Sequence, residues 1–482
     1  MMNKLKNYRI NHKESIYVCL INILLPFMLL LLQYPVYEYN MDIVMQTLVY
    51  NLEGTYSISH ILFSNLVYGK LLEVLFNISN KLPWYLVVQY IINYISLCII
   101  GINYIKTNKS KIGYFILAVL TLFIANEIYA KPSYMKTSAI LCTAGMFWMW
   151  CNLYSIKGES LKTNIFIQIC IIFSGLISWR VFLCIFTTYS IIMIIYILLC
   201  KKYSNIKYVG CMLVICFCVS GLFRIFDIYS YDRLPEWREA VKYRDSIEKI
   251  QMYGVPDYED INNNIDLLYD EYMSIVNCNI DNKELFSLDN AQKLSRVTRD
   301  VGIKTFVEFM RMVPLDIFKF MFFYIIIILT GINCIYGSKN NKNCIWVTWA
   351  VMMIQLLVSY HFYSETSKVL LFIIQMPISI ILLCELKCTD DKHSKELVLF
   401  TSIILIFVCK NFSGEMVRNV SDEKIEVKFD TMCSQQEQTY YININDILKT
   451  YSAYTVYPEG ILQKYNIRAL DIQYKLVPFY FG

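Results

Sequence analysis

Long apolar runs without charge alternate with short polar segments along most of the chain of 482 residues. A helix needs about 20 mostly apolar residues to cross the hydrocarbon core of a bilayer. The runs are continuous, whereas the strands of a membrane barrel would alternate apolar and polar positions. The pattern predicts an all-α polytopic membrane protein with about eleven transmembrane helices. These are predicted at 16–34, 84–105, 112–129, 134–155, 163–179, 181–200, 208–226, 315–336, 345–361, 368–386 and 396–411.

Composition agrees with this fold class. Hydrophobic residues make up 56% of the chain and charged residues only 17%, compared with about 25% charged residues in soluble proteins. Most of the 17 cysteines fall inside apolar runs, where a thiol behaves as a small hydrophobic group. No cysteine pair has the spacing of a zinc site, so no metal centre of that kind is predicted. Cys278 and Cys433 lie in polar regions, and the sequence leaves undecided whether they form a disulfide.

Lys and Arg are concentrated in every second short loop, and this bias predicts the orientation. One side carries Lys4, Lys6, Arg9, Lys13, Lys106, Lys109, Lys111, Lys157, Lys162, Lys201, Lys202, Lys207, Lys339, Lys342, Lys387, Lys392 and Lys395. The amino terminus is therefore predicted to be cytoplasmic, and an odd number of spans places the carboxyl terminus outside. Richness in Lys, Asn, Ile and Tyr is typical of an AT-rich bacterial genome, so the predicted location is the bacterial cytoplasmic membrane.

Most of the polar residues are predicted to lie outside the cell. Residues 1–411 form the predicted transmembrane domain, with outer loops at 35–83 and 227–314. Residues 412–482 form an extracytoplasmic tail, predicted as a small cap with some strand. Amphipathic helices are predicted in the first outer loop, at 43–52 and 60–76. Because the inner loops are short, chemistry or recognition is expected at the outer face.

Asp42 lies a few residues after the first predicted span, in the stretch NMDIVMQTL. One interpretation is a helix cap, because Asp is a preferred N-cap residue and an amphipathic helix follows it. The other is a general base or a metal ligand, because a carboxylate near apolar surface has its proton affinity tuned by burial. The two roles are compatible, since a cap also holds the side chain in place. Glu38 and Glu53 are interpreted as solvated loop residues.

Cations and histidines at the outer ends of the spans are the remaining candidate ligands. They are Arg180, Lys136, Lys368, His60 and His361. A charge at that depth faces a cavity or a partner, so the cations are candidates for binding phosphate. The alternative is an arginine that reaches the lipid headgroups and lysines that are ordinary anchors. An imidazole there is a candidate acid, base or ligand. Arg224 and Asp227 are predicted to pair with each other.

These features resemble the GT-C superfamily of membrane glycosyltransferases, which take a sugar from a polyprenyl-phosphate carrier. The resemblance covers the architecture and residues 16–200: a cytoplasmic start, many spans, and amphipathic helices in the first outer loop. An acidic residue close after the first span is part of it, here Asp42. The stretches SNLVYGKLLEVLFNISNKLPWYLVVQY and ISWRVF are similar to those of uncharacterised bacterial envelope proteins of this type.

The resemblance implies a transferase that works at the outer face of the cytoplasmic membrane. Asp42 is the implied general base, which accepts the proton of an acceptor hydroxyl as that oxygen attacks the anomeric carbon of the sugar. Arg180, Lys136 or Lys368 would hold the phosphate that leaves. The implied partners are a polyprenyl-phosphate-linked sugar, an envelope glycan or lipid acceptor, and the lipid bilayer. No nucleic-acid partner is implied.

Three questions stay open from the sequence. Relatives often carry paired acidic residues where this chain has Asn40-Met41-Asp42, so no cofactor is implied and a divalent metal is an alternative. An envelope polysaccharide polymerase, which uses essential arginines, would share Arg180 and give Asp42 no role. A lipid-linked sugar flippase or transporter is the non-enzymatic alternative, although the sequence has neither the internal repeats nor the mid-membrane charges that transporters favour.

Overall fold

The computed structural model describes the larger part of the membrane-spanning region and short pieces of the rest. The described residues are 12–38, 42, 45–46, 48–49, 59–108, 110–152, 161–199, 206–235, 237–239, 241–243, 245–246, 258–262, 288–302, 320–336, 339–362, 368–385, 402, 440–442, 453 and 467–469. Apart from two strands of three residues each, the regular structure of these residues is helical.

The helices follow one another with short connections in the first half of the chain. They are α1 (His12–Leu32), α2 (Leu66–Ile78), α3 (Trp84–Thr107), α4 (Lys111–Ala125), the π-helix π1 (Asn126–Ala130), α5 (Tyr134–Asn152), α6 (Leu161–Ile177), α7 (Trp179–Leu199) and α8 (Ile206–Asp232). The later helices are α9 (Tyr258–Asn262), α10 (Leu288–Gly302), α11 (Met321–Tyr336), α12 (Lys339–Phe362) and α13 (Lys368–Glu385).

Several of these helices are suited to a bilayer by length and composition. Among the described residues, five segments are long and apolar enough to cross it: Lys13–Leu32, Trp84–Lys106, Gly113–Ala130, Trp179–Leu199 and Ile206–Asp232. Shorter apolar helices lie at Thr163–Ile177, Phe322–Gly331, Ile345–Val358 and Lys368–Leu383. The chain is therefore an all-α membrane protein, as predicted. The span predicted at 396–411 lies outside the described residues except for residue 402.

The helix ends that the Lys and Arg pattern assigns to one side meet at one end of the bundle. Hydrogen bonds there join the segment after α1 to π1, the start of α2 to α6 and α8, and the start of α3 to π1. They run from Val36 N to Ala130 O (3.0 Å), from Asn65 N to Leu176 O (2.9 Å), from Leu66 N to Asp227 Oδ1 (2.8 Å) and from Tyr90 OH to Tyr129 O (2.7 Å). This end also contains Asp42, and we call it the Asp42 end.

The π-helix π1 presents consecutive carbonyl groups to its neighbours. The last carbonyls of a helix have no partner within the helix, so they need donors from elsewhere. Four different donors reach them: Lys136 Nζ bonds Glu127 O at 3.0 Å, Asn93 Nδ2 bonds Ile128 O at 3.2 Å, Tyr90 OH bonds Tyr129 O at 2.7 Å and Val36 N bonds Ala130 O at 3.0 Å. These bonds fix π1 against α3, α5 and the segment after α1.

Two helices follow one another almost without a break, as the sequence predicts. Helix α6 ends at Ile177 and α7 begins at Trp179, with only Ser178 between them. The amide of Ser178 donates to Ser174 O at 2.9 Å, and its carbonyl accepts from Phe182 N at 3.0 Å. The backbone groups of Ser178 are therefore bonded within the two helices, which lets this junction of one residue stay buried.

The second predicted amphipathic helix begins later than expected. It was predicted over 60–76, whereas α2 starts at Leu66 with Asn65 as its N-cap, the Asn65 side chain accepting from Val67 N. Leu62 has a φ of 63°, in the left-handed region that a right-handed helix excludes. One face of α2 is buried through Tyr68 and Leu72. The opposite side exposes apolar residues such as Ile78, which suits a helix at a membrane interface.

The described part of the tail contains a small parallel pair of strands. Strand β1 (Tyr440–Ile442) pairs with β2 (Ile467–Ala469), with Tyr440 opposite Ile467. Between them in sequence, the amide of buried Ala453 donates to Pro35 O at 2.7 Å. The tail therefore touches the segment that leads from α1 to Asp42.

We expect Gly69→Ala to destabilise the protein. A Cβ at residue 69 would lie 1.9 Å from the carbonyl oxygen of Ser59, so backbone would have to move. Overpacking of this kind costs about 1–3 kcal/mol. The thermal unfolding midpoint in detergent is the measurement. Gly221→Ala is the matched control, because a Cβ at Gly221 meets no described atom within 4 Å. Equal midpoints for the two variants would contradict this packing.

Candidate functional site

Asp42 lies inside the protein, at the Asp42 end of the bundle. It has helical backbone conformation, as do Met45, Gln46, Leu48 and Val49. Asp42 has 0% of its surface exposed. A carboxylate at a bilayer surface was expected from the sequence, so full burial corrects that expectation. The residues Val44 and Leu52 of the predicted amphipathic face lie outside the described residues.

One carboxylate oxygen of Asp42 holds two other helices. Oδ1 accepts from the backbone amide of Tyr134 at 2.7 Å and from the hydroxyl of Tyr85 at 2.8 Å. Tyr134 is the first residue of α5, so Asp42 caps α5. The unpaired amides at a helix start attract negative charge, so this position favours the carboxylate form.

The second carboxylate oxygen of Asp42 is surrounded by polar groups but is not firmly bonded. Ser133 and Gln89 lie close enough to stabilise its charged form. Within the described residues, however, no donor reaches hydrogen-bond geometry with Oδ2. Gln89 Nε2, which is a donor, and the buried hydroxyl of Tyr68 likewise have no hydrogen-bond partner there. Buried polar atoms are nearly always bonded. Oδ2 therefore keeps an acceptor position that no described donor fills.

The proton affinity of Asp42 is strongly raised. Burial disfavours the charged form and raises the pKa of Asp42 to about 7, although the Tyr134 amide and the Tyr85 hydroxyl act in the opposite direction. A carboxyl group with a pKa near neutrality can both take up and release a proton at physiological pH. This is the property that a general base requires.

Lys136 sits in the first turn of α5 with no exposed side-chain surface. Its ammonium group bonds Glu127 Oε2 at 2.8 Å and Glu127 O at 3.0 Å, forms an ion pair with Glu38, and lies 5.5 Å from the ring centre of Phe372. Both carboxylates satisfy this cation, so its predicted role as a phosphate ligand is corrected to a structural one. Glu38 is not the solvated loop residue that was predicted, because it is one of these partners.

Lys368 lies near the same charged cluster but is exposed. It is the first residue of α13, and its charge acts on the Glu127 carboxylate. Lys131 also approaches Glu127, with 3.9 Å between Nζ and Oε1. Lys368 is thus a cation at the Asp42 end that remains accessible from outside the bundle. Arg180 is likewise exposed, in the first turn of α7.

His60 belongs to an aromatic cluster. Its ring stacks on Trp237 with 5.0 Å between centres and meets the edge of Tyr231 at 4.9 Å. Burial lowers the pKa of His60, so the imidazole is neutral at physiological pH. No described contact joins it to Asp42. The side chain of His361 and both Cys278 and Cys433 lie outside the described residues, as does Glu53.

A second buried carboxylate repeats the capping arrangement. Asp227 Oδ1 accepts from the amide of Leu66, the first residue of α2, at 2.8 Å. Its Oδ2 accepts from Arg224 Nη1 at 2.6 Å, which confirms the predicted pair. Asp227 therefore differs from Asp42 in having an arginine on its second oxygen. This makes Asp227 a matched control for experiments on Asp42.

Sequence reasoning missed several residues of the site. Glu127, Gln89, Tyr68 and Tyr85 were not among the candidate site residues. The stretch NEIYAKPSYMK offered a signal, because Glu127 is four residues before Lys131 at the end of an apolar run. Within the part of the chain that the structure describes, no three His, Cys, Asp or Glu side chains come together as a metal site.

We expect the stability of the protein to fall as the pH rises from about 4 to about 7. An unfolded Asp has a pKa of about 3.9, whereas folding raises that of Asp42 to about 7. Between those values the folded state binds a proton that the unfolded state has lost. Each pKa unit corresponds to about 1.4 kcal/mol, so the loss approaches about 4 kcal/mol.

Asp42→Asn should remove this pH-dependent contribution to stability. The Asn side-chain oxygen still accepts a hydrogen bond from the Tyr134 amide, but the amide group does not titrate. The measurement is the difference between the unfolding midpoints of wild type and variant across that pH range. A difference that stays constant with pH would contradict the raised pKa.

Comparisons of the chain with models of protein families, with curated proteins and with solved structures found no match. The function of the chain is therefore inferred from its own residues and their contacts.

Proposed function

We propose that the chain is a membrane glycosyltransferase, with Asp42 as its general base. It would move a sugar from a polyprenyl-phosphate carrier to a cell-envelope acceptor at the outer face of the bacterial cytoplasmic membrane. The observation that carries the proposal is the Asp42 carboxyl group. One oxygen of Asp42 is held by the start of α5 and by Tyr85, while the other has no hydrogen-bond donor among the described residues.

The proposed topology follows the distribution of Lys and Arg. About eleven spans, with the amino terminus inside and the carboxyl terminus outside, would place the Asp42 end at the outer face. The helix ends that meet at the Asp42 end are those that this topology assigns to the outside. A carrier lipid in the outer leaflet would then have its phosphate at the level of Asp42.

The proposed reaction is a displacement at the anomeric carbon of the sugar. The acceptor hydroxyl gives its proton to Asp42 Oδ2, and its oxygen forms the new bond to the anomeric carbon. The bond from that carbon to the phosphate oxygen breaks, and polyprenyl phosphate leaves with the electron pair. Tyr85 and the α5 amide hold Oδ1 throughout, so Oδ2 needs no reorientation to take the proton.

Positive charge is needed where the phosphate leaves. Lys368 and Arg180 are exposed and remain the proposed phosphate ligands. Lys136 is proposed to act indirectly, because its ammonium group is occupied by Glu38 and Glu127. By tying the Glu38 segment to the first turn of α5, Lys136 would position the backbone that leads to Asp42. His60 would contribute to the wall of the acceptor site through its ring.

We expect Asp42→Asn to lower transfer at least 100-fold, since a positioned base contributes about 10²–10⁴ to a rate. The assay supplies a panel of polyprenyl-phosphate hexoses to the full chain in lipid nanodiscs and measures release of polyprenyl phosphate. Asp227→Asn is the control, because it also alters a buried helix cap but leaves Asp42 in place. Equal activity of wild type and Asp42→Asn would exclude this role for Asp42.

The rate should rise with pH and level off above about 7, because the base must be deprotonated and burial raises the pKa of Asp42 to about 7. The measurement is the pH profile of transfer by the wild type. A rate that is already maximal near pH 5, below that pKa, would mean that another group takes the proton.

A polysaccharide polymerase that depends on Arg180 would instead lose activity in Arg180→Gln and keep it in Asp42→Asn.

A further inference from the structure

Helices α1 and α3 approach each other closely at one glycine. A Cβ on Gly101 of α3 would lie 2.7 Å from Val18 Cγ1 and 3.3 Å from Asn22 Nδ2, both on α1. Only a residue without a side chain allows the two helices to pack this tightly. The crossing is within segments that are long and apolar enough to span the membrane.

Two thiols meet beside this crossing. Cys19 of α1 and Cys98 of α3 share a hydrogen bond, and the Tyr94 hydroxyl is within hydrogen-bonding reach of both sulfur atoms. Asn22 Nδ2 also donates to Cys98 Sγ at 3.9 Å. Neither cysteine forms a disulfide in the structure.

The thiol pair is reachable from the side of the helix bundle. Cys98 is buried, but Cys19 is only partly so. Its neighbours on the surface of α1 are exposed apolar residues, with Ile16 at 48% and Ile23 at 52% exposure. Such a surface faces lipid when the helix spans a bilayer. A reagent dissolved in the hydrocarbon can therefore reach Cys19, whereas charged reagents in water are excluded.

We propose that Cys19 and Cys98 form a redox site that a lipid-soluble quinone oxidises to a disulfide between α1 and α3. Each thiol loses one proton and one electron, and a bond forms between the two sulfur atoms. The quinone gains both electrons and both protons and becomes a quinol. A quinone fits the site because it resides in the bilayer and accepts the same number of electrons and protons that the two thiols release.

The disulfide would restrain the two helices that lead to the Asp42 end. The chain from α1 continues to Asp42, and the first turn of α3 contains Tyr85, which donates to Asp42. A covalent link would close the loop between residues 19 and 98 in the unfolded state as well. The oxidised protein should therefore be more stable than the reduced one. This site does not depend on the proposed transferase activity.

Other buried cysteines provide a contrast within the same molecule. Cys142 lies in the electrostatic neighbourhood of Cys216 and Cys184, but its thiol hydrogen-bonds to Ser174. These three cysteines lie among apolar residues. Among the described contacts, no tyrosine hydroxyl reaches two of their sulfur atoms at once. Selective oxidation should therefore link Cys19 to Cys98 and leave Cys142 and Cys216 reduced.

The test uses the reduced full chain in lipid nanodiscs, treated with decylubiquinone and then alkylated and digested. Mass spectrometry should find a peptide linked through Cys19 and Cys98, with loss of alkylation at both. The thermal unfolding midpoint should rise by a few degrees and return after reduction with dithiothreitol. Cys19→Ser and Cys98→Ser should each abolish the link and the rise, whereas Cys142→Ser should keep both.

Failure to form this link with decylubiquinone would overturn the proposal, even if copper phenanthroline produced it, because the quinone would then not be the oxidant. Equal linkage of Cys142 to Cys216 would also overturn it, since the oxidation would not be selective. The assay contains no sugar substrate, so its result is separate from the outcome of the transferase experiments.

Discussion

Backbone groups at the ends of helices need hydrogen-bond partners, and in a membrane protein water supplies few of them. The Asp42 end of the bundle meets this constraint with side chains from distant parts of the chain. Asp42 caps α5, Asp227 caps α2, and donors from three segments bond the carbonyls of π1. The helices are held in place at this end because their unsatisfied groups bond to one another.

Charge enters the interior at the same end. A buried ammonium group is tolerated only when carboxylates surround it closely. Lys136 meets this condition with Glu127 and Glu38, which belong to π1 and to the segment after α1. Removing one partner would leave an uncompensated charge. The cluster therefore joins three segments through charges that depend on one another.

Asp42 combines a structural and a chemical property in one side chain. Its Oδ1 is committed to α5 and Tyr85, whereas its Oδ2 has no donor among the described residues. Asp227 also caps a helix start, but its second oxygen accepts a hydrogen bond from Arg224. The comparison within one molecule separates the two properties. Capping needs only an oxygen acceptor, but a proton acceptor near neutral pH needs burial without a paired cation.

The sequence by itself determined the fold class, because hydrophobic runs of membrane-spanning length are local features. It also predicted the near-continuous α6 and α7 and the pair of Arg224 with Asp227, which lie three residues apart on one helix. Asp42 attracted attention for a local reason as well, as a carboxylate close to the end of an apolar run.

Only the tertiary structure decided the partners of these residues. Asp42 caps a helix that begins 92 residues later, and Lys136 pairs with Glu38 in the segment after α1. Such contacts depend on how helices are arranged in space, and a single sequence contains no periodicity that reports the arrangement. Burial of Asp42, and with it the raised pKa, follows from the same packing, since desolvation is a property of the surroundings and not of the residue.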